Sequence, residues 1–543
     1  HLNIPTHTRI GLQHGHDTLK LGSSTVIKHK VYYFADFNLE ALLSLSEQRR
    51  GRPCTCDVTQ MPKSGSLNWV IFISFDDGIE WVFRSPIRGI HSFYSDETAS
   101  KIVVSEASTL MYLKAYTSVP VPEVYSYSGS SDNDIGVPYI LQSRATGRSL
   151  GSYDWSQLPR VSGLQNPDPP LPLSDKDREK VMSQLGAIMS ELSDHRFEKI
   201  GSIFNDGNGG YFVGECLSPS LTWQERDSLD LDRGPFDEEN DYFVSLILAF
   251  TSHAQELPLT PHVFFAPVPD MMYYRSIESH KTAVRRWNNF VAIGQKVDHS
   301  KNMLFYSIAG QFLREMIPRL ICGLGTSFTL SHPDLHLGNL YVDDYLNITC
   351  IIDWSSASSG PITELLPTPS LRGSATPPSE FLTAAFRVVP ELLHSNLWET
   401  SERIWYFSRL VRLLSRNDYE HFRRLFELVY ETSAEEARSS KGILWLFHER
   451  ANLDENKRLL VELQEEDITE EELQEKERAC FPPSRTANSD AIAVARKLTL
   501  MSEMNPGFLA DHRLWQWVED ARKHDEKCEA SGTVVKEDGR SSS

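Results

Sequence analysis

The sequence predicts an α+β protein in two lobes: a small β-rich N-terminal lobe with one key helix, then a large, mostly helical C-terminal lobe. Three observations carry this. Residues 49–147 alternate β-branched and aromatic runs with tight turns, broken by one helical stretch. Beyond Ser174 the apolar residues recur at helical spacing. Within that helical half, one strand–turn–strand unit stands out over Leu340–Ile352. The expected organisation is an N-terminal extension over 1–48, an N-lobe over 49–147, a C-lobe over 148–528 and a disordered polar tail over 529–543.

The extension contains one short helix pattern, Phe37–Ser46. In the N-lobe, Trp69–Phe75 is a strand, Asp76-Asp77-Gly78 a tight turn and Ile79–Arg84 the return strand. Lys63–Asn68 reads as a small polar turn feeding this hairpin. A helix follows, capped by Ser95, with Asp96 and Glu97 at the positive end of its dipole and Pro120 and Pro122 ending it. Its apolar face is Ile102, Val103, Ala107, Leu110, Met111 and Leu113, with Glu106 set inside that run. Strands over Glu123–Tyr127 and Tyr139–Gln142 complete the sheet. Gly147–Pro172 is a Pro/Ser/Gly-rich connection, and 367–380 a second such loop. Amphipathic helices are expected over Asp175–Leu192, Ser401–Leu414 and Tyr419–Val429, and a charge-dense, solvated helix over Glu462–Arg478.

At 543 residues, with 40% hydrophobic and 24% charged content, the composition is that of a soluble globular chain. A net charge of −20 argues against a nucleic-acid binder, and no run of about 18 apolar residues argues for a membrane span. Seven cysteines without framework spacing point to a reducing compartment, and the lone Cys54-Thr55-Cys56 pair is a poor zinc signal. The expected location is cytoplasmic. A mitochondrial location is the alternative, since the chain opens on His1 and a leader upstream of it would not be seen.

The stretch Ser331–Asn339 (SHPDLHLGN) concentrates chemistry. His332 and His336 have the spacing of a helical zinc pair, but Pro333 and Gly338 disfavour the helix, and no Glu follows His332. The other residues fit better. The turn Asp343–Asn347 folds Ile348–Ile352 back along Leu340–Val342, so Asp353 arrives beside Asn339. A carboxylate and an amide oxygen at one hairpin mouth are hard ligands suited to Mg²⁺. Asp334 is then free to accept a proton from a hydroxyl, and these parts together suit phosphoryl transfer.

His332-Pro333-Asp334-Leu335-His336-Leu337-Gly338-Asn339, followed by Ile351-Ile352-Asp353-Trp354, resembles the catalytic loop and metal-binding strand of the aminoglycoside phosphotransferase and choline kinase group, and most of all its fungal phosphotransferase members. The resemblance covers roughly 50–360. It implies a bilobal protein-kinase-like fold, ATP and Mg²⁺ as cofactors, and a small hydroxylated acceptor. It further implies Asp334 as catalytic base, His332 as the brace of its loop, and Asn339 and Asp353 as metal ligands. On the same template Arg84 is the phosphate-contacting cation and Glu106 its partner. Ser64, Gly65 and Ser66 belong to the loop over the phosphates. Gln142 and Arg144 lie on the strand and hinge that hold adenine.

Three departures stand out. The phosphate loop has one glycine, Pro333 replaces a common glycine, and Ser355 stands where many members are acidic. Two functions therefore stay open: an ATP-dependent small-molecule kinase, or a kinase-fold protein without turnover acting as a nucleotide-binding or regulatory module. The acidic balance weakly favours a cationic acceptor, and fold analogy names none. Oligomeric state is not legible.

Overall fold

A computed structural model describes residues 31, 35–60, 63–64, 67–88, 94–155, 170–257, 300–321, 323, 327–366, 395–412, 418–430, 442–465 and 467. The N-lobe is an antiparallel sheet of six strands: β1 (Cys54–Thr55), β2 (Lys63–Ser64), β3 (Asn68–Phe75), β4 (Glu80–Pro86), β5 (Val124–Ser128) and β6 (Tyr139–Ser143). The order is β1-β3-β4-β6-β5, and β2 also pairs with β3. Strict alternation along β3 sorts the sheet into two faces. Trp69, Ile71, Ile73 and Phe75 face one side, with Trp81, Phe83 and Leu141 in the same core. In the ladder Val70 pairs with Arg84, Phe72 with Val82, and Val82 with Gln142, so these residues share the other face.

Helix α1 (Leu39–Arg50) covers the first face, burying Leu42 beside Trp69 and Phe83. The boundary placed after residue 48 therefore cuts through an element that belongs to the N-lobe, because the apolar face of the sheet needs a cover. Arg50 and Arg52 pin it to the β3–β4 turn through Asp77 at 2.8 Å and Asp76 at 2.7 Å. Helix α2 (Asp96–Tyr116) lies on the other face, capped by Ser95 as expected. Lys63–Ser64 is a paired strand, not a free turn, and β4 runs two residues past Arg84.

In the C-lobe, α3 (Asp175–Asp194) opens on a capping box between Ser174 and Asp177. Three-stranded sheets follow: β14 (Ser358–Gly360), β11 (Phe328–Ser331) and β8 (Arg196–Phe197) in one, and β13 (Ile348–Ile351), β12 (Leu340–Val342) and β7 (Arg148–Ser149) in the other. A minor hairpin joins β9 (Ile203–Asn205) to β10 (Tyr211–Val213). The helical core is built by α4 (Pro219–Thr222), α5 (Glu239–Glu256), α6 (Ser300–Met316), α7 (Ile362–Leu365), α8 (Ser395–Val411), α9 (Asp418–Tyr430), α10 (Ile443–Ala451) and α11 (Asp454–Gln464). Phe243, Phe250, Leu313, Phe407 and Leu425 are among its fully buried side chains, each contributing about 1.5–3 kcal/mol. The acidic run expected as a helix over 462–478 and the Pro/Ser loop 367–380 lie wholly or mostly outside the described residues. Among the described residues no helix is long and apolar enough to cross a membrane.

The lobes join at Gly147, which has φ +88°. A Cβ there would sit 2.2 Å from the Val342 carbonyl oxygen, a backbone atom that cannot swing away. Gly78 has φ +83° and nothing within 4 Å of its would-be Cβ. Gly147→Ala is expected to lose more than about 2 kcal/mol in denaturant unfolding, whereas Gly78→Ala loses about 1 kcal/mol from the left-handed backbone alone. Equal losses would contradict this account of the join.

Candidate active site

The sheet face shared by Val70, Phe72, Val82, Arg84 and Gln142 roofs a cavity of about 330 Å³. Its floor, from the C-lobe, includes Asp334, Tyr341, Ile352, Asp353 and Ser355. The middle is apolar from above and below, a slot suited to a flat ring, and polar groups collect at its ends.

At one end Gln142 is 6% exposed, and its Oε1 has no hydrogen-bond partner. An orphaned buried acceptor costs about 1–3 kcal/mol unless something donates to it, and a nucleobase amine fits that need. Arg144 lines the same end, ion-paired to Glu80 and lying 4.9 Å over the Phe72 ring. At the other end Arg84 joins both lobes. Its guanidinium pairs with Glu106 of α2 and with Asp353 of the C-lobe, and donates to Ser355 Oγ at 2.9 Å. Ser355 in turn donates to Glu106 at 2.7 Å. Burial pushes the Glu106 carboxyl upward despite Arg84. Burial also opposes the charge on Asp353, but the Arg84 guanidinium holds that carboxyl below its ordinary range. Lys63, its Nζ 5.2 Å from the Phe72 ring, adds a third cation to the cavity wall, after Arg84 and Arg144. Ser64 lies in β2, and Gly65 and Ser66 are outside the described residues.

The loop after β11 is held by hydrogen bonds from every side. His332 is buried; Nε2 bonds the Ile352 carbonyl at 2.9 Å, so it carries the proton, and Nδ1 accepts the Asp334 N–H at 3.1 Å. Burial lowers the pKa of this ring, which packs edge-on against Trp354 at 4.7 Å. His336 Nδ1 accepts the Gly338 N–H at 2.9 Å. Both histidines thus bind backbone, and among the described residues no three His, Cys, Asp or Glu side chains gather to hold a metal. Asn339 Nδ2 donates to the Asp334 carbonyl at 2.9 Å, and its own carbonyl accepts the Ile352 N–H at 3.0 Å. That orientation leaves Oδ1 as the open donor atom beside Asp353, a hard oxygen pair that fits Mg²⁺. Asp353 itself sits at φ +67°, unusual for a non-glycine residue and a mark of local constraint.

Sequence reasoning missed three things. Ser355, read only as a departure, ties Arg84 to Glu106. A second cavity of about 140 Å³ lies beyond Asp334, lined by Tyr242, Ser356, Glu364, Arg409 and Arg412 among others. Asp334 and Pro333 line both cavities. The amphipathic pattern over Ser401–Leu414 was the available signal, and it gave a helix without choosing the polar residues that line a cavity.

No family model matches the chain. It is 27% identical over 325 residues to the subtelomeric hrmA-associated cluster protein of Aspergillus fumigatus, known from two strains, the match covering 56% of this chain and 58% of the relative. The chain thus matches little more than half the length of these relatives. Solved structures similar to it are small-molecule phosphotransferases. The gentamicin complex of APH(2″)-IIa covers 74% of this chain and 98% of its own, with 11% identity and a TM-score of 0.36. A protein described as a fructosamine-3-kinase of Thermobifida fusca covers 73% and 100%, with 11% identity and a TM-score of 0.39. The macrolide 2′-phosphotransferase MphH of Brachybacterium faecium covers 73% and 99%, with 14% identity and a TM-score of 0.32.

Burial raises the pKa of Glu364 to about 7, only partly offset by Tyr242, whose hydroxyl donates to it at 3.1 Å, and by Arg412. The folded state therefore holds a proton that the unfolded chain releases near the ordinary glutamate pKa. Stability from this group is full below about pH 4.5 and is lost as pH rises to about 7, by on the order of 3 kcal/mol. Glu364→Gln should lack that slope in unfolding free energy measured from pH 4.5 to 7.5; an unchanged slope would remove Glu364 as its source.

Proposed function

We propose that the chain is an ATP-dependent phosphotransferase that moves the γ-phosphoryl group to a hydroxyl of a small molecule. The observation that carries this is the place of Asp334, a carboxylate between an apolar-walled, cation-ended cleft and a second polar cavity. A donor in the first and an acceptor in the second would meet at its side chain.

Val70, Val82, Tyr341 and Ile352 would sandwich the base, with Gln142 and the hinge at Arg144 at its edge. Arg84 and Lys63 would face the phosphates. Asp334 would take the acceptor proton as the new P–O bond forms and the bond to the β-phosphate oxygen breaks. His332 holds the backbone N–H of Asp334, so the base is positioned before substrate arrives. Asn339 and Asp353 would hold Mg²⁺, which when bound neutralises phosphate charge.

A second reading is favoured by one contact: Arg84 engages Asp353 directly, occupying a carboxylate oxygen that a metal would use. A protein locked in that arrangement would bind nucleotide without turnover. Mg·ATP binding and hydrolysis in wild type and Asp334→Ala separate the two. The phosphotransferase reading expects binding in both and a rate loss of about 10²–10⁴-fold in the variant. Equal hydrolysis would sink Asp334 as the base, and binding without hydrolysis in either would support the module.

A further inference from the structure

Resting on the phosphotransferase reading, we infer that the acceptor is a hydroxylated anion, its carboxylate or phosphate seated against Arg412, Arg409 and Ser356 in the cavity beyond Asp334. The overall charge of −20 would suggest the opposite. Local charge decides, because a pocket is sensed within a few ångströms and distant surface carboxylates are screened by salt.

The arginines come from α8 and the residue just after it. Arg412 donates from Nη2 to the Pro333 carbonyl at 3.1 Å, which sets its guanidinium directly behind the loop that carries Asp334. Its Nε is buried and has no hydrogen-bond partner. Among the described residues no carboxylate lies within ion-pair distance of Arg412. Arg409 lines the same cavity, its guanidinium stacked 4.0 Å over the Trp405 ring. That contact places a second cationic group at the cavity wall beside Arg412. Ser356, 1% exposed and held at φ +62°, also lines the cavity, and its hydroxyl has no partner. An oxyanion would supply the acceptor that Arg412 Nε and the Ser356 hydroxyl lack.

Behind them Arg226, 1% exposed, donates to the Ser220 carbonyl at 2.5 Å and to His253 at 3.2 Å, and keeps one buried nitrogen unpaired. Burial and the neighbouring Arg412 charge lower its pKa to about 9. The same balance lowers Arg409 to about 10, and burial lowers Arg412, with Asp334 and Glu364 opposing. Against these guanidinium groups the described residues lining the cavity set two carboxyl groups, Asp334, which opens to the cleft, and Glu364, whose pKa burial raises to about 7. A protonated amine would add to this crowding, and an oxyanion relieves it.

The test uses the full chain with Mg²⁺ and a non-hydrolysable ATP analogue. Calorimetry compares three probes on one pyranose frame: glucuronate, glucose and glucosamine. Glycerol 3-phosphate is a fourth arm that distinguishes phosphate from carboxylate. At least one anion is expected to bind at least tenfold tighter than glucose and glucosamine. Arg412→Met should erase that preference, and Glu364→Gln at pH 8 should strengthen it severalfold. The gain in Glu364→Gln cannot arise from misfolding, so it stands even where Arg412→Met does not fold. Glucosamine binding most tightly, no anion bound more tightly than glucose, or a preference unmoved by both substitutions overturns the inference. Those outcomes with analogue binding intact leave the phosphotransferase reading standing, whereas failure to bind the analogue sinks that reading.

Discussion

The molecule turns on one buried guanidinium. Arg84 is 9% exposed, and a charge so far from water must be compensated by fixed partners. Those partners come from separate parts of the chain: Glu106 on α2, and Asp353 with Ser355 across the cleft. Removing either carboxylate would leave the buried guanidinium with the other as its remaining counter-charge, and removing both would leave it uncompensated. The spacing of the lobes and the rotation of α2 are therefore coupled to one ionic cluster. That cluster also forms the polar end of the cleft. Asp353 belongs to it but keeps 39% side-chain exposure, so its charge is the part of the cluster that can respond to a ligand.

The two cavities differ in how they meet polar demands. The cleft has apolar walls and polar ends, with cation and carboxylate balanced across Arg84. The smaller cavity is dominated by guanidinium groups whose burial makes their charge expensive. Between them runs a loop whose backbone is engaged almost atom by atom. His332, His336 and Asn339 each spend side-chain hydrogen bonds on that backbone and not on a ligand. Asp334 is the exposed member, with 58% side-chain exposure on an otherwise fixed loop.

What was legible in the sequence was what neighbouring residues determine. The hairpin at Asp76-Asp77-Gly78, the Ser95 cap and the start of α3 follow from local turn and capping chemistry. The return of Ile348–Ile351 along Leu340–Val342 was equally readable, and it brings Asp353 to Asn339. Contacts between distant segments were not legible. Ser355 meets Glu106 across 249 positions, and Arg412 meets Pro333 across 79. Neither residue has a local pattern that marks it, since a serine after a strand and an arginine at a helix end are ordinary. Helix α1 was misplaced for a related reason. Its weak amphipathicity suggests an appendage, and only the exposed apolar face of the finished sheet explains why Phe37 and Leu42 are buried.

Rigidity and charge then explain each other. On the proposed phosphotransferase reading, a carboxylate that takes a proton would have to reach the hydroxyl without a search, which calls for a fixed backbone and an open side chain. The chain achieves this by using imidazole rings as internal hydrogen-bond connectors. Burial lowers the pKa of His332, so the ring is held neutral, which allows Nε2 to donate to Ile352 while Nδ1 accepts from Asp334. A protonated ring would have two donors and no acceptor, and the Asp334 N–H would lose its partner. The low basicity of His332 is thus a structural requirement of the loop.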